Sequence, residues 1–121
     1  ASAWLDGHDA PDSILFCRST QLSVLRLLTT VGVMSLYGIP PLSNKDAWAV
    51  YEAFIADDRI VIQPEPPGLN VIWKKLAVRR TSSPKLWMDA YLAAFAMASG
   101  SQLVTTDKAF SQFPGLDVLV I

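Results

Sequence analysis

The segment Leu86–Ala98 reads Leu-Trp-Met-Asp-Ala-Tyr-Leu-Ala-Ala-Phe-Ala-Met-Ala and is apolar on almost every side of a helix. A helix apolar all round is normally buried. It carries one acid, Asp89. A carboxylate on a buried helix must be paired, hydrogen-bonded or bound to a metal, because an uncompensated charge there costs several kcal/mol. Gly100 is placed to end the helix. The short apolar run Leu103-Val104-Thr105 then reads as a strand and delivers a second acid, Asp107, where strand gives way to helix. Two acids brought together by a helix and a strand end form a constellation that hard divalent cations use.

The rest of the chain alternates strand and helix patterns. Ala1–Leu5 reads like the tail of a helix, with no cap before it, and Asp6–Asp12 is a turn by composition. Ile14–Cys17 is a short apolar run typical of a covered strand. Ser19 or Thr20 is placed to cap a helix whose face holds Leu22, Leu25 and Leu28, widened by Val24 and Leu27. Gly32, Gly38, Pro40 and Pro41 make the next connection irregular. Ser43 or Asn44 opens a helix with Ala47, Trp48, Tyr51, Phe54 and Ile55 at helical spacing, followed by a strand over Arg59–Gln63 and a Pro/Gly turn. Leu69–Ala77, a short helix near Lys108–Gln112 and a strand over Val118–Ile121 complete the pattern. This alternation predicts an α/β fold with a parallel sheet, and the absence of repeats or linkers predicts one domain over residues 1–121.

Composition narrows the function. Net charge is −1, so no global field recruits nucleic acid and any polyanion site must be local. One cysteine, Cys17, excludes an intramolecular disulfide and fits a reducing compartment. No apolar run reaches the ~20 residues that span a bilayer, and no signal-peptide pattern is present. A soluble cytoplasmic protein is therefore expected, with no membrane partner. There is no G-x-G-x-x-G, P-loop or G-x-S-x-G. His8, alone in a turn, is expected at the surface, and Cys17 in the core. Trp48, Trp73 and Trp87 recur at helical spacing with apolar neighbours, which makes them core or dimer-interface positions rather than base-stacking platforms. Lys74, Lys75, Arg79, Arg80 and Lys85 form a run without an intervening acid just before the Asp89 helix. They are either a phosphate-backbone contact beside the site or an ordinary solvated loop.

The segments W-M-D-A-Y-L-A-A-F-A, G-S-Q-L-V-T-T-D-K-A-F and F-P-G-L-D-V-L-V-I resemble the C-terminal half of PIN-domain proteins of the VapC toxin type. The resemblance implies a three-layer α/β/α fold with a central parallel sheet of order 3-2-1-4-5. It also implies a metal-dependent endoribonuclease, the toxin of a bacterial type II toxin–antitoxin module. In such proteins acids surround Mg²⁺ or Mn²⁺, which activates a water for phosphodiester cleavage. Asp89 matches the acid of D-A-x-L-A-A, and Asp107 that of T-x-D-x-x-F, so these two are the catalytic and metal-binding candidates. Thr105 and Thr106 match hydroxyl residues that orient water or phosphate. The partners implied are RNA, a cognate antitoxin and a second copy in a homodimer.

Two departures accompany the resemblance. The family's second acid falls at Ser23, followed by the expected Arg26, and both are retained as supporting residues. The first acid belongs to an L-D-x-N-V-L strand that these residues do not contain and that would precede Ala1. The domain is accordingly expected to be N-terminally incomplete, with the first, central strand missing. Ile14–Cys17 and Arg59–Gln63 would lie on one side, and Leu103–Thr105 and Val118–Ile121 on the other. Either the inner strands close on each other, or a second copy fills the gap, or the sequence is part of a longer protein. As a nuclease the chain would work through Asp89 and Asp107. As a non-catalytic remnant it would only dimerise or bind an antitoxin. A flavodoxin-like small-molecule domain shares the sheet but would need neither metal nor RNA.

Overall fold

The computed structural model describes residues 2–121. The chain divides into two compact units, Ala1–Pro64 and Glu65–Ile121. Among the described residues no helix is long and apolar enough to cross a membrane.

The first unit opens with α1, Ser2–Asp6. This is the helix expected at Ala1–Leu5, except that Ala1 lies outside the described residues. His8 is half-buried rather than on the surface. Its ring lies against Trp4, with centroids 4.2 Å apart, and Nδ1 donates to the Trp4 carbonyl at 2.7 Å. Strand β1, Ile14–Phe16, runs parallel to β2, Ile60–Ile62, with Ile14 opposite Ile60. Arg59 ties the two ends of this unit. Its guanidinium grips the Asp57 carboxylate and donates to the Leu5 and His8 carbonyls at 2.9 and 3.2 Å.

Helix α2, Arg18–Leu28, starts earlier than Ser19 or Thr20 as a cap would place it. Cys17 occupies the cap, because its backbone N–H finds Thr20 Oγ1 at 2.8 Å, while its thiol is buried in the core. The expected leucine face is also corrected. Leu22 is 55% and Leu27 50% exposed, whereas the buried α2 residues are Ser19 and Gln21. Gln21 Nε2 donates to Tyr51 Oη at 2.5 Å, and its Oε1 is buried without a partner among the described residues. The connection expected to be irregular contains a four-residue helix α3, Val31–Met34, and a 3₁₀ turn at Ser35–Tyr37, closed by Gly38 in the left-handed region. Helix α4, Asn44–Ile55, is capped as expected by Ser43, whose Oγ accepts from Asp46 N at 3.1 Å. Ala47 and Tyr51 turn inward. Trp48 does not: it is exposed, not core.

The second unit is an α-helical hairpin joined to a strand pair. Helix α5, Leu69–Ala77, begins at Gly68, which takes a φ of 83° that a side chain would strain. It buries Leu69, Leu76 and Ala77 against helix α6, Leu86–Ala98. Ala90, Ala93 and Ala94 are fully enclosed, and Phe95 and Ala96 nearly so. Small side chains at these positions let α5 approach closely, which is why the all-apolar segment packs as a buried helix. Gly100 ends α6 at φ 67°. Its N–H bonds the Met97 carbonyl at 3.2 Å and Ser101 N–H bonds the Ala96 carbonyl at 2.8 Å, the paired closure of a glycine-terminated helix. Strand β3, Leu103–Thr105, runs parallel to β4, Val118–Val120. A 3₁₀ turn at Lys108–Gln112 connects them and inserts Phe110 into the core, joined by the adjoining Phe113.

The fold class is thus mixed α/β with parallel strands. The strands pair as two separate two-stranded sheets, β1 with β2 and β3 with β4. These are the pairings expected for the two flanks.

Candidate active site

Asp89 lies in the first turn of α6, one residue before the fully buried Ala90, and is half-buried. Neither carboxylate oxygen has a hydrogen-bond partner among the described residues, whose one ion pair is Asp57–Arg59. Burial pushes the Asp89 carboxyl up from its ordinary value, the charge of Asp107 pushes it further the same way, and Lys85 opposes both. Two elements distant in sequence thus bring two acids within electrostatic reach of each other.

Asp107 is held more tightly. Its backbone N–H donates to Thr105 Oγ1 at 3.0 Å, and its Oδ1 accepts from Ala109 N at 2.9 Å, capping the 3₁₀ turn. Asp107 is thus the N-cap of that turn. It leaves Oδ2 without a hydrogen-bond partner among the described residues. Thr105 serves here by positioning Asp107, and Thr106 is exposed beside it. Ser23 and Arg26 belong to the other unit, on the exposed side of α2.

The five basic residues all lie in the second unit and are all exposed. Two of them reach the acids' surroundings. Lys85, four residues before Asp89 and thus one helical turn away, acts on its charge. Arg79 Nη2 donates to Gln112 Oε1 at 3.1 Å, on the turn that Asp107 caps. The i,i+4 spacing of Lys85 and Asp89 is legible in the sequence and is the signal that singles Lys85 out from the run. Nothing comparable ties Lys74, Lys75 or Arg80 to the acids.

An unpaired, half-buried carboxylate raised by burial and then by a second carboxylate is a site whose ionised form is relieved by a cation. Carboxylate oxygen is the donor type that Mg²⁺ and Mn²⁺ select, so Asp89 and Asp107 fit as two of a metal's ligands. Among the described residues there is no group of three or more His, Cys, Asp or Glu placed to hold a metal ion.

The PIN domain family profile matches residues 1–116, across both units. The chain is similar to Ribonuclease VapC41 of Mycobacterium tuberculosis, from strain CDC 1551 / Oshkosh and from strain ATCC 25618 / H37Rv. Identity to each is 55% over 120 residues, covering 98% of this chain and 82% of the relative.

Proposed function

Because this chain belongs to the PIN-domain family and is of its VapC type, we propose that it is a metal-dependent endoribonuclease, the toxin of a toxin–antitoxin pair. The observation that carries this reading is the coupled pair Asp89–Asp107, set in a chain 55% identical to a ribonuclease. Asp89 and Asp107 would hold Mg²⁺ or Mn²⁺, which would supply Lewis-acid activation of water and neutralise phosphate charge. The protein's own residues do the rest. Thr105 and the 3₁₀ turn fix the Asp107 backbone, so that the carboxylate is aimed before substrate arrives. Lys85 counters the negative charge that two acids and a phosphate bring together. Thr106 offers a hydroxyl to the phosphate, while Ser23 and Arg26 act as supporting residues. Lys74, Lys75, Arg79 and Arg80 contact the backbone of the RNA further along.

We carry the fold forward in the same way, as one three-layer PIN domain over residues 1–121 acting in the cytoplasm. The partners are a cognate antitoxin and a second copy, and the exposed apolar side chains of α2 and the 31–39 connection give such partners a surface. One observation favours a second reading, a non-catalytic chain that only binds these partners: among the described residues no third His, Cys, Asp or Glu joins the two acids to hold a metal.

Cleavage of a mixed RNA in Mn²⁺ decides between the two. The chain is expected to cut RNA in Mn²⁺ and not in EDTA, and Asp89→Asn and Asp107→Asn each to lower the rate at least ~100-fold, the scale of losing one electrostatic stabiliser. Folded wild-type protein that binds partner but cuts nothing would establish the second reading.

A further inference from the structure

We propose that Arg79 is a positioning residue of the candidate metal site: by holding Gln112 it clamps the 3₁₀ turn that Asp107 caps to the helical hairpin that carries Asp89. The inference rests on the reading of Asp89 and Asp107 as metal ligands and deepens it.

The two acids stand on separate supports. Asp89 is in the first turn of α6, and Asp107 caps the turn Lys108–Gln112 between β3 and β4. Two ligands on separate supports share one cation only if those supports keep a fixed relation. The start of α6 is braced. Trp73 Nε1–H donates to the Trp87 carbonyl at 2.9 Å, tying α5 to the first turn of α6, and Leu86 N–H donates to the Ser83 carbonyl at 3.0 Å. The Trp87 side chain itself, expected in the core, is 57% exposed.

The turn is anchored at its middle by the buried Phe110, whose ring centroid lies 6.1 Å from that of Phe113. Its last residue, Gln112, is exposed, and there Oε1 accepts from Arg79 Nη2 at 3.1 Å, across 33 residues of sequence. Arg79 directly follows Val78, whose N–H bonds the Lys74 carbonyl at 3.0 Å and closes α5. The guanidinium thus reaches out from the end of a helix that is itself packed on α6. Among the described residues Lys74, Lys75 and Arg80 make no side-chain hydrogen bond, so the clamp sets Arg79 apart from the rest of the basic run. A guanidinium has five N–H donors, and the bond to Gln112 leaves others for an RNA phosphate.

The clamp has a sign that charge cannot mimic. By charge alone, deleting a cation from the unit that holds both acids favours a divalent ion. Deleting a clamp loosens the ligand geometry and weakens the ion's binding. Gln112 carries no charge, so its removal reports on geometry alone.

The test is Mn²⁺ binding to the whole chain without RNA, followed by the paramagnetic resonance signal of the free ion. Arg79→Ala and Gln112→Ala are each expected to raise Kd about fivefold, less than the ~10- to 100-fold of a contact made directly to a ligand. The double variant should lose no more than either single one, because both remove the same bond. Ala109 N–H bonds Asp107 Oδ1 at 2.9 Å, and its amide exchange in EDTA should quicken in both variants while Tm stays that of wild type. A Kd unchanged or lowered in Arg79→Ala, or unchanged in Gln112→Ala, would overturn the proposal. So would additive losses in the double variant, or unaltered Ala109 exchange. Wild type that binds no Mn²⁺ would overturn the metal-site reading together with the proposal. Wild type that binds Mn²⁺ through an intact clamp yet cuts no RNA would overturn the nuclease reading alone.

Discussion

The two units differ in charge and in how they use their apolar residues. Ala1–Pro64 holds four Lys/Arg against seven Asp/Glu, a net −3, while Glu65–Ile121 has the opposite sign at +2. The first unit buries the polar Ser19 and Gln21 and leaves Leu36 82% and Tyr37 75% exposed. The second encloses Ala90, Ala93 and Ala94 completely and gathers both candidate acids and all five residues of the basic run. The near-neutral charge of the whole chain conceals a positive half that carries both candidate acids. The negative half exposes the larger number of big apolar side chains, Leu36 and Tyr37 foremost.

The sharpest way to break this contrast is to alter packing in each unit. Ala94→Leu inserts three carbons where no space exists and should destabilise by about 3 kcal/mol, lowering Tm by roughly 10 °C or more. Leu22→Ala, on the exposed side of α2, should change stability by less than about 0.5 kcal/mol. Calorimetry on the two variants checks both, and comparable losses would show that the first unit is packed as densely as the second.

Next in size is the buried polar pair. Tyr51→Phe removes the acceptor of Gln21 Nε2 and leaves a buried amide with neither end bonded, at a cost of about 1–3 kcal/mol. Adding Gln21→Leu should restore most of that loss in chemical denaturation, since an apolar pair has no unmet hydrogen bonds.

The smallest effects concern pH and have opposite signs in the two units. The Arg59 guanidinium hydrogen-bonds Asp57 and lowers its pKa to about 2. The ionised carboxylate therefore stabilises the fold above the ordinary carboxylate pKa, and that stability is lost as pH falls toward 2. Asp57→Asn should lower Tm by a few degrees at most at pH 7, and by nothing near pH 2. Asp89 is raised instead, so its ionisation opposes folding. The penalty is absent below the ordinary carboxylate pKa and complete above the raised one. Asp89→Asn should therefore raise Tm by about a degree or two at pH 7 in EDTA, and thermal melts across pH distinguish the two slopes.

Much of the second unit was legible in the sequence because its signals are local. The all-apolar run with a terminal glycine defines α6, and the acids flank it at a helix start and a strand end. The Asn44–Ile55 helix was legible for the same reason, through Ser43. The first unit was less so. Hydropathy marks Leu22, Leu27 and Trp48 as residues that would gain from burial, but it does not say whether the fold supplies something to bury them. The cap at Cys17 was hidden because the bond is made by Thr20 reaching back, in a pattern usually read from the first residue. The exposure of Trp87 was hidden too, since helical spacing with Tyr91 is the same whether that side faces core or solvent. The strand pairs were legible from their β-branched content, but their division into two sheets was not, because pairing depends on long-range geometry.

The central claim is that Asp89 and Asp107 act as one coupled pair poised for a divalent cation. The most direct measurement is a ¹³C carboxyl NMR titration of Asp89, assigned by its absence in Asp89→Asn and repeated with Asp107→Asn and with Mg²⁺. The account predicts a pKa above the ordinary aspartate value that falls when Asp107 is neutralised and falls again when Mg²⁺ is added. An Asp89 that titrates at the ordinary value and responds to neither change would contradict it.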